Sequence, residues 1–291
     1  DYLAKSTTFR LYDSDPIAKI AQTMVLGLGG AKLSDALDYE PDVYHLNEAH
    51  ALSCVFHLYN KFKNVEAIRK KMVFTTHTPE EAGNEKHNIH LLNSLSFFDG
   101  VPLEKVREIT GIYDDTFNHT LVGLRLSHIA NGVSKLHGEV SRDMWKEYTG
   151  ICPIIHITNA QNKKYWADAW LEEAFQNKDR EAFIKRKTRL KSKLFDVVAD
   201  QTGKLFDSNI FTIVWARRFA DYKRPDLITR DYNRFIKLLE NIDRPVQIIF
   251  AGKPYPSDYG AIHNFDNLTH ISKNIKNMAV LTGHELKLSR Q

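Results

Sequence analysis

The chain has 291 residues, 43% hydrophobic, 26% charged and 11% aromatic, and its 40 lysines and arginines outnumber 36 aspartates and glutamates for a formal net charge of +4. Aromatic and β-branched residues run throughout, which excludes a mainly disordered chain, and no apolar stretch nears the roughly 20 residues of a membrane-spanning helix. The charge excess is too mild to call for nucleic acid, and Cys54 and Cys152 are too few and too far apart for a disulfide framework. With no charged-then-apolar leader at its start, a cytoplasmic protein is expected.

In chain order, residues 17–26 carry a helical period that Gly27, Gly29 and Gly30 interrupt. Residues 42–46 (DVYHL) read as a short buried strand leading into Asn47, which would cap a helix over 49–62. MVFTT at 72–76 is a strand ending at His77-Thr78-Pro79, and Pro79 blocks helix through Thr78. Residues 121–130 read as an apolar helix or strand pair ending at Asn131-Gly132, followed by a helix over 133–145 and a strand over 152–158. Residues 165–198 are mostly helical and highly charged. Seven cations fall between Arg180 and Lys193 with apolar residues interleaved, the pattern of an amphipathic helix with a wet basic face. IFTIVW at 210–215, QIIFA at 247–251 and MAVL at 278–281 read as three buried strands separated by helices. The alternation predicts an α/β fold of two Rossmann-like lobes, residues 1–160 and 161–291, divided near 159–163.

Polar groups sit just past several strand ends, where open parallel sheets bind ligands. WARRFADYKRPD places Arg217, Arg218, Lys223 and Arg224 after a strand, and four cations there either fan outward or share an anion. Arg218 and Lys223, across a strand-to-helix turn, can reach one anion near a helix N-terminus. Lys253 follows Gly252 in AGKPYPSDYG, which lacks Walker spacing. His45, Asn47, Glu48 and His50 suit hydroxyl binding better than a metal, since Glu48 and His50 do not share a helix face and no H-E-x-x-H occurs. His77 lies between two threonines. There is no nucleophile elbow, no CxxC and no GxGxxG, and GLGG at 27–30 follows a helical pattern, which argues against dinucleotide binding there.

Taken together, DVYHLNEAHA, VFTTHTPEEAG, ANGVSKLHGEVSRDMW, HITN, VWARRFADYKRPDLI and FAGKPYPSD, in that order, resemble the α-glucan phosphorylases, and most closely their shorter bacterial and archaeal branch. The resemblance runs from about Arg10 to Leu288. It implies the two-lobed GT-B glycosyltransferase fold and phosphorolysis of an α-1,4-glucan by inorganic phosphate to glucose 1-phosphate. It also implies pyridoxal phosphate, whose phosphate works beside the substrate phosphate. Position by position, Arg218 and Lys223 would grip the substrate phosphate and Arg217 the cofactor phosphate. His77 would support the sugar at the reacting centre and Asn159 would bond its hydroxyls. Asn131 would lie beneath the sugar, and Glu48 and His50 would line the approach for the glucan.

The chain departs from the family at Thr158-Asn159-Ala160-Gln161-Asn162, where TNGVH or TNGVT is usual. It reads as an internal piece, starting after the family's N-terminal glycine loop and ending before the segment that brings the Schiff-base lysine, with the second lobe incomplete. Family members are commonly dimers. A nucleotide-sugar glycosyltransferase of the glycogen synthase kind, or a truncated glucan-binding paralogue without turnover, are the alternatives.

Overall fold

The structure, a computed structural model, describes residues 5–9, 15–256 and 258–282. The chain divides into two compact units, residues 1–160 and 161–291.

In the first unit, the Asp15 carboxylate accepts from the Ala18 N–H at 2.8 Å and Pro16 fills the first turn, so helix α1 (Pro16–Met24) begins there. The glycine run expected to interrupt it does not. A π-turn (Val25–Gly29) carries the chain straight into α2 (Gly30–Ala36), because the glycines let it lie against the turn at 48–51. A Cβ at Gly27 would stand 2.6 Å from the Ala51 carbonyl oxygen. Strand β1 (Tyr44–Asn47) follows, then a 3₁₀ turn (Glu48–Ala51) and α3 (Cys54–Phe62). The helix expected over 49–62 is thus broken in two, and the Asn47 side chain caps neither piece.

Next come α4 (Val65–Lys71), β2 (Met72–Thr76), β3 (Lys86–Asn88), α5 (Ile89–Ser94), α6 (Leu103–Thr110), β4 (Thr116–Asn118), α7 (His119–Arg125), β5 (Ile129–Gly132), α8 (Lys135–Trp145) and β6 (Ile154–His156). Asn64, Asn88, Asn118 and Ser134 cap α4, α5, α7 and α8 through side-chain oxygens. Strands β1, β2, β5 and β6 form one parallel sheet in that order, with Asn47 opposite Thr75 and Thr75 opposite Asn131. Its carboxyl ends therefore lie along a single edge.

Beside the sheet, Phe56, Phe97, Phe98 and Phe117 pack edge-on or tilted with centroids 4.8 to 6.5 Å apart. His119 belongs to this aromatic core. It is 2% exposed, its ring lies 5.0 Å from that of Phe117, and His87 Nδ1 meets its Nε2 at 2.9 Å. Burial drives its pKa down to about 3 and lowers that of His87.

The second unit holds α9 (Lys163–Trp166), α10 (Ala169–Gln176), α11 (Arg180–Thr202), β7 (Phe211–Ala216), α12 (Tyr232–Leu239), β8 (Val246–Gly252), α13 (Tyr259–Lys273) and β9 (Met278–Thr282). The three strands form a parallel sheet in chain order. Every residue of β8 is buried. The strand expected to be buried at 210–215 is instead an edge among the described strands: Phe211 is 68% exposed and Val214 47%. Two of the cations of α11 are structural. Arg186 makes a bidentate pair with Asp168 at 2.6 and 2.9 Å and holds its carboxyl below the usual range. Lys191 Nζ donates to the carbonyls of Ser208 at 2.8 Å and Ile210 at 2.6 Å, tying α11 to the start of β7. Among the described residues, no helix is long and apolar enough to cross a membrane.

Candidate functional site

In the first unit the polar residues gather past the carboxyl ends of the parallel strands. Glu48, directly after β1, holds a left-handed backbone (φ 57°), a conformation that costs a non-glycine residue about 1 kcal/mol or more. The strained turn aims its carboxylate at the segment after β2, where Oε1 accepts the His77 N–H and, at 3.1 Å, the Thr78 hydroxyl. Glu48 is therefore a brace for His77, whose own side chain is exposed. His50 is exposed at the end of the 3₁₀ turn.

Asn131 in β5 is buried, 7% exposed, and its Oδ1 accepts from the Thr75 hydroxyl at 2.8 Å; Thr75 in turn meets His45 Nε2 at 2.7 Å. Behind this row, His137 Nδ1 accepts the Val133 N–H at 3.1 Å and steadies the turn into α8. The segment after β6 lies along that turn, with Ile157 N–H on the Gly132 carbonyl at 2.9 Å and Asn159 N–H on the Val133 carbonyl at 3.0 Å. The Asn159 side chain is exposed. The structure thus brings Glu48, His77 and Asn131 to adjoining strand ends and sets Asn159 one strand further along.

In the second unit the segments after β7 and β8 run together. Arg217 N–H donates to the Ala251 carbonyl at 3.0 Å and Phe219 N–H to the Lys253 carbonyl at 3.3 Å. Gly252 sits at φ 151°, and a Cβ there would collide with the Arg217 carbonyl oxygen, so only glycine lets the two segments meet. The expected helix N-terminus beside Arg218 and Lys223 is absent. A short 3₁₀ turn (Asp221–Lys223) follows, and Arg224 is left-handed (φ 50°) just before Pro225. The next α-helix, α12, begins only at Tyr232.

Arg218 is held by aromatics: its guanidinium carbon lies 4.4 Å from the Tyr255 ring centroid and Nη2 donates to the Tyr222 hydroxyl at 3.4 Å. Lys223 Nζ lies 5.6 Å from the Tyr222 ring centroid. Asp221 is engaged by Asn264 at 2.8 Å and Asp226 by Arg230 at 2.9 Å. Arg217, Lys223 and Lys253 consequently have no acidic partner among the described residues. Tyr222 and Tyr255 escaped sequence reasoning; the signal was aromatic residues interleaved with cations in ADYKRP and GKPYP. Among the described residues, no group of three or more His, Cys, Asp or Glu is placed to hold a metal ion.

No family model matches the chain. A maltodextrin phosphorylase of Thermococcus litoralis is 31% identical over 85% of the chain and 36% of its own length. A glycogen phosphorylase of Aquifex aeolicus is 31% identical over 86% of the chain and 44% of its own length. By sequence the chain is a homologue of the α-glucan phosphorylases. An uncharacterized protein of Methanocaldococcus jannaschii is 41% identical over 100% of the chain and 54% of its own length. The chain spans about half or less of the length of these relatives.

Proposed function

We propose that the chain carries the sugar-binding and phosphate-binding strand ends of an α-1,4-glucan phosphorylase of GT-B architecture. Residues 1–160 are then the later part of the N-terminal lobe, and residues 161–291 the first part of the C-terminal lobe. The observation that carries the reading is the cationic turn after β7, where Arg218 is stacked and aimed by Tyr255 and Tyr222 while Arg217, Lys223 and Lys253 have no acidic partner among the described residues. Such unneutralised charge at the carboxyl end of a parallel sheet suits a phosphate dianion.

In phosphorolysis a phosphate oxygen bonds to the sugar C1, the C1–O4 bond breaks, and O4 takes a proton. The requirement is to hold a dianion beside an oxocarbenium-like sugar. Arg218 and Lys223 hold the attacking phosphate, Arg218 with a planar fork and Lys223 as a compact charge. Asn131 offers its amide to the sugar, His77 is held in place at the reacting centre by Glu48, and Asn159 bonds further hydroxyls. Glu48 and His50 flank the approach of the glucan.

The exposed Arg217 guanidinium, with no acidic partner among the described residues, would suit the phosphate of pyridoxal phosphate. When bound, that cofactor supplies a second phosphate able to exchange a proton with the first; Arg217 would hold it.

The test is a titration of the chain with inorganic phosphate, followed by amide NMR. Shifts should centre on 217–223 and 252–253, and Arg218→Ala should weaken binding about thirtyfold, the equivalent of about 2 kcal/mol for one lost charge-assisted bidentate contact. Tighter binding of a nucleoside diphosphate at the same residues, indifferent to phosphate, would favour a nucleotide-sugar transferase instead.

A further inference from the structure

We infer that His45 and Thr75 are positioning residues that orient the Asn131 amide so that it presents an N–H, not its carbonyl, to the ligand. The inference rests on the sugar-site reading of the β1–β2–β5 edge. Three neighbouring parallel strands supply the three residues. Thr75 lies opposite both Asn47 and Asn131 in register, and His45 stands two residues before Asn47, so His45, Thr75 and Asn131 share one face of the sheet.

The order of donors follows from counting protons. A threonine hydroxyl has one hydrogen. Thr75 gives it to Asn131 Oδ1 at 2.8 Å, so its oxygen must accept at the 2.7 Å contact with His45 Nε2. His45 therefore carries a proton on Nε2. Asn131 has its oxygen engaged and one N–H on the Gly132 carbonyl at 3.3 Å, which leaves its second N–H without an acceptor among the described residues. With Thr75 8% exposed and Asn131 7% exposed, water cannot readily replace either of these two, while His45 closes the row from its exposed end.

The consequence is chemical selectivity at a distance. A donor at this strand end donates to a hydroxyl or ring oxygen of a sugar. The reversed amide would offer an acceptor and read only ligand donors. Neither His45 nor Thr75 needs to touch the ligand for this to hold. They act through Asn131, and a valine at 75, with the same shape and no proton, breaks the row in the middle.

The test combines a tautomer measurement with binding, both on the whole chain. Long-range ¹H–¹⁵N spectra of the His45 ring should show a proton on Nε2 in the unaltered chain. Thr75→Val should shift His45 toward the Nδ1–H form and move the Asn131 side-chain NH₂ signals, while Thr75→Ser restores both. Maltoheptaose binding, followed on the amides of residues 131–134, should weaken at least tenfold in Thr75→Val and return to within threefold in Thr75→Ser. His45 found as the Nδ1–H tautomer in the unaltered chain, or His45 and Asn131 signals unmoved by Thr75→Val, would overturn the inference. Equal maltoheptaose binding by Thr75→Val and the unaltered chain would overturn it as well. An unaltered chain with the Nε2 proton and no maltoheptaose binding would refute the sugar-site reading while leaving the orientation of Asn131 established.

Discussion

Lowering the pH from 7 to 5 should destabilise the first unit chiefly through His119. Burial among Phe97 and Phe117, then the neighbouring His87 and His50, hold its pKa at about 3 against an ordinary 6.5. Between those values the unfolded chain binds a proton that the folded chain refuses. Stability is therefore complete above pH 6.5 and falls as the pH drops toward 3. At pH 5 the gap spans about 1.5 units, which at about 1.36 kcal/mol per unit is about 2 kcal/mol. His87, also lowered by burial, adds in the same direction. The carboxylates Asp35, Asp99, Asp115 and Asp168 are held below their usual 3.8, so their losses come at lower pH and leave this window to the imidazoles. Urea unfolding at pH 7 and pH 5, compared with His119→Gln, isolates the effect. The unaltered chain should lose about 2 kcal/mol more than the variant, and its His119 ring signals should not titrate down to pH 4. A His119 ring titrating near pH 6.5, or equal losses in both chains, would refute the reasoning.

Gly252→Ala should cost about 3 kcal/mol or more and scatter the cations after β7, because φ 151° and the Arg217 carbonyl leave no room for a Cβ; urea unfolding together with amide shifts at 217–223 reads both effects. Cys54 and Cys152, buried and pushed up to about 12 and about 11, should resist a thiol reagent in the folded chain at pH 8 and react fully in urea, as mass spectrometry would show. Glu48→Ala should speed hydrogen exchange of the His77 amide at least tenfold and leave Phe74 in β2 unchanged; equal protection in both chains would remove Glu48 from the role of brace.

Strands were legible where local pattern and burial agree. MVFTT at 72–76 is β2 to the residue because its apolar run is bounded by Lys71 on one side and His77-Thr78-Pro79 on the other. β8 is buried throughout, and its one polar side chain, Gln247, is satisfied by the Asp207 backbone and the Thr212 hydroxyl. IFTIVW carries a similar apolar pattern yet forms an edge among the described strands, since hydrophobicity does not say how many neighbours a strand has. GLGG suggests a break because glycine usually ends helices, whereas here it allows the close approach of a π-turn to residue 51. The strand-end residues Glu48, His77 and Arg218 were named from motif and placement. Their partners were not. That Glu48 reaches across to His77, that Tyr255 stacks on Arg218 from 37 residues away in sequence, and that His45, Thr75 and Asn131 form one row all depend on strand order and register, which no local pattern encodes.

The most direct test of the phosphorylase reading is glucose 1-phosphate release from maltoheptaose by the native polypeptide that carries this chain, measured against inorganic phosphate concentration. Product formation should saturate with phosphate, and Arg218→Ala should raise the phosphate requirement roughly thirtyfold with little change in maltoheptaose affinity. Sugar release that proceeds without phosphate, or transfer that needs a nucleotide sugar as donor, would contradict it.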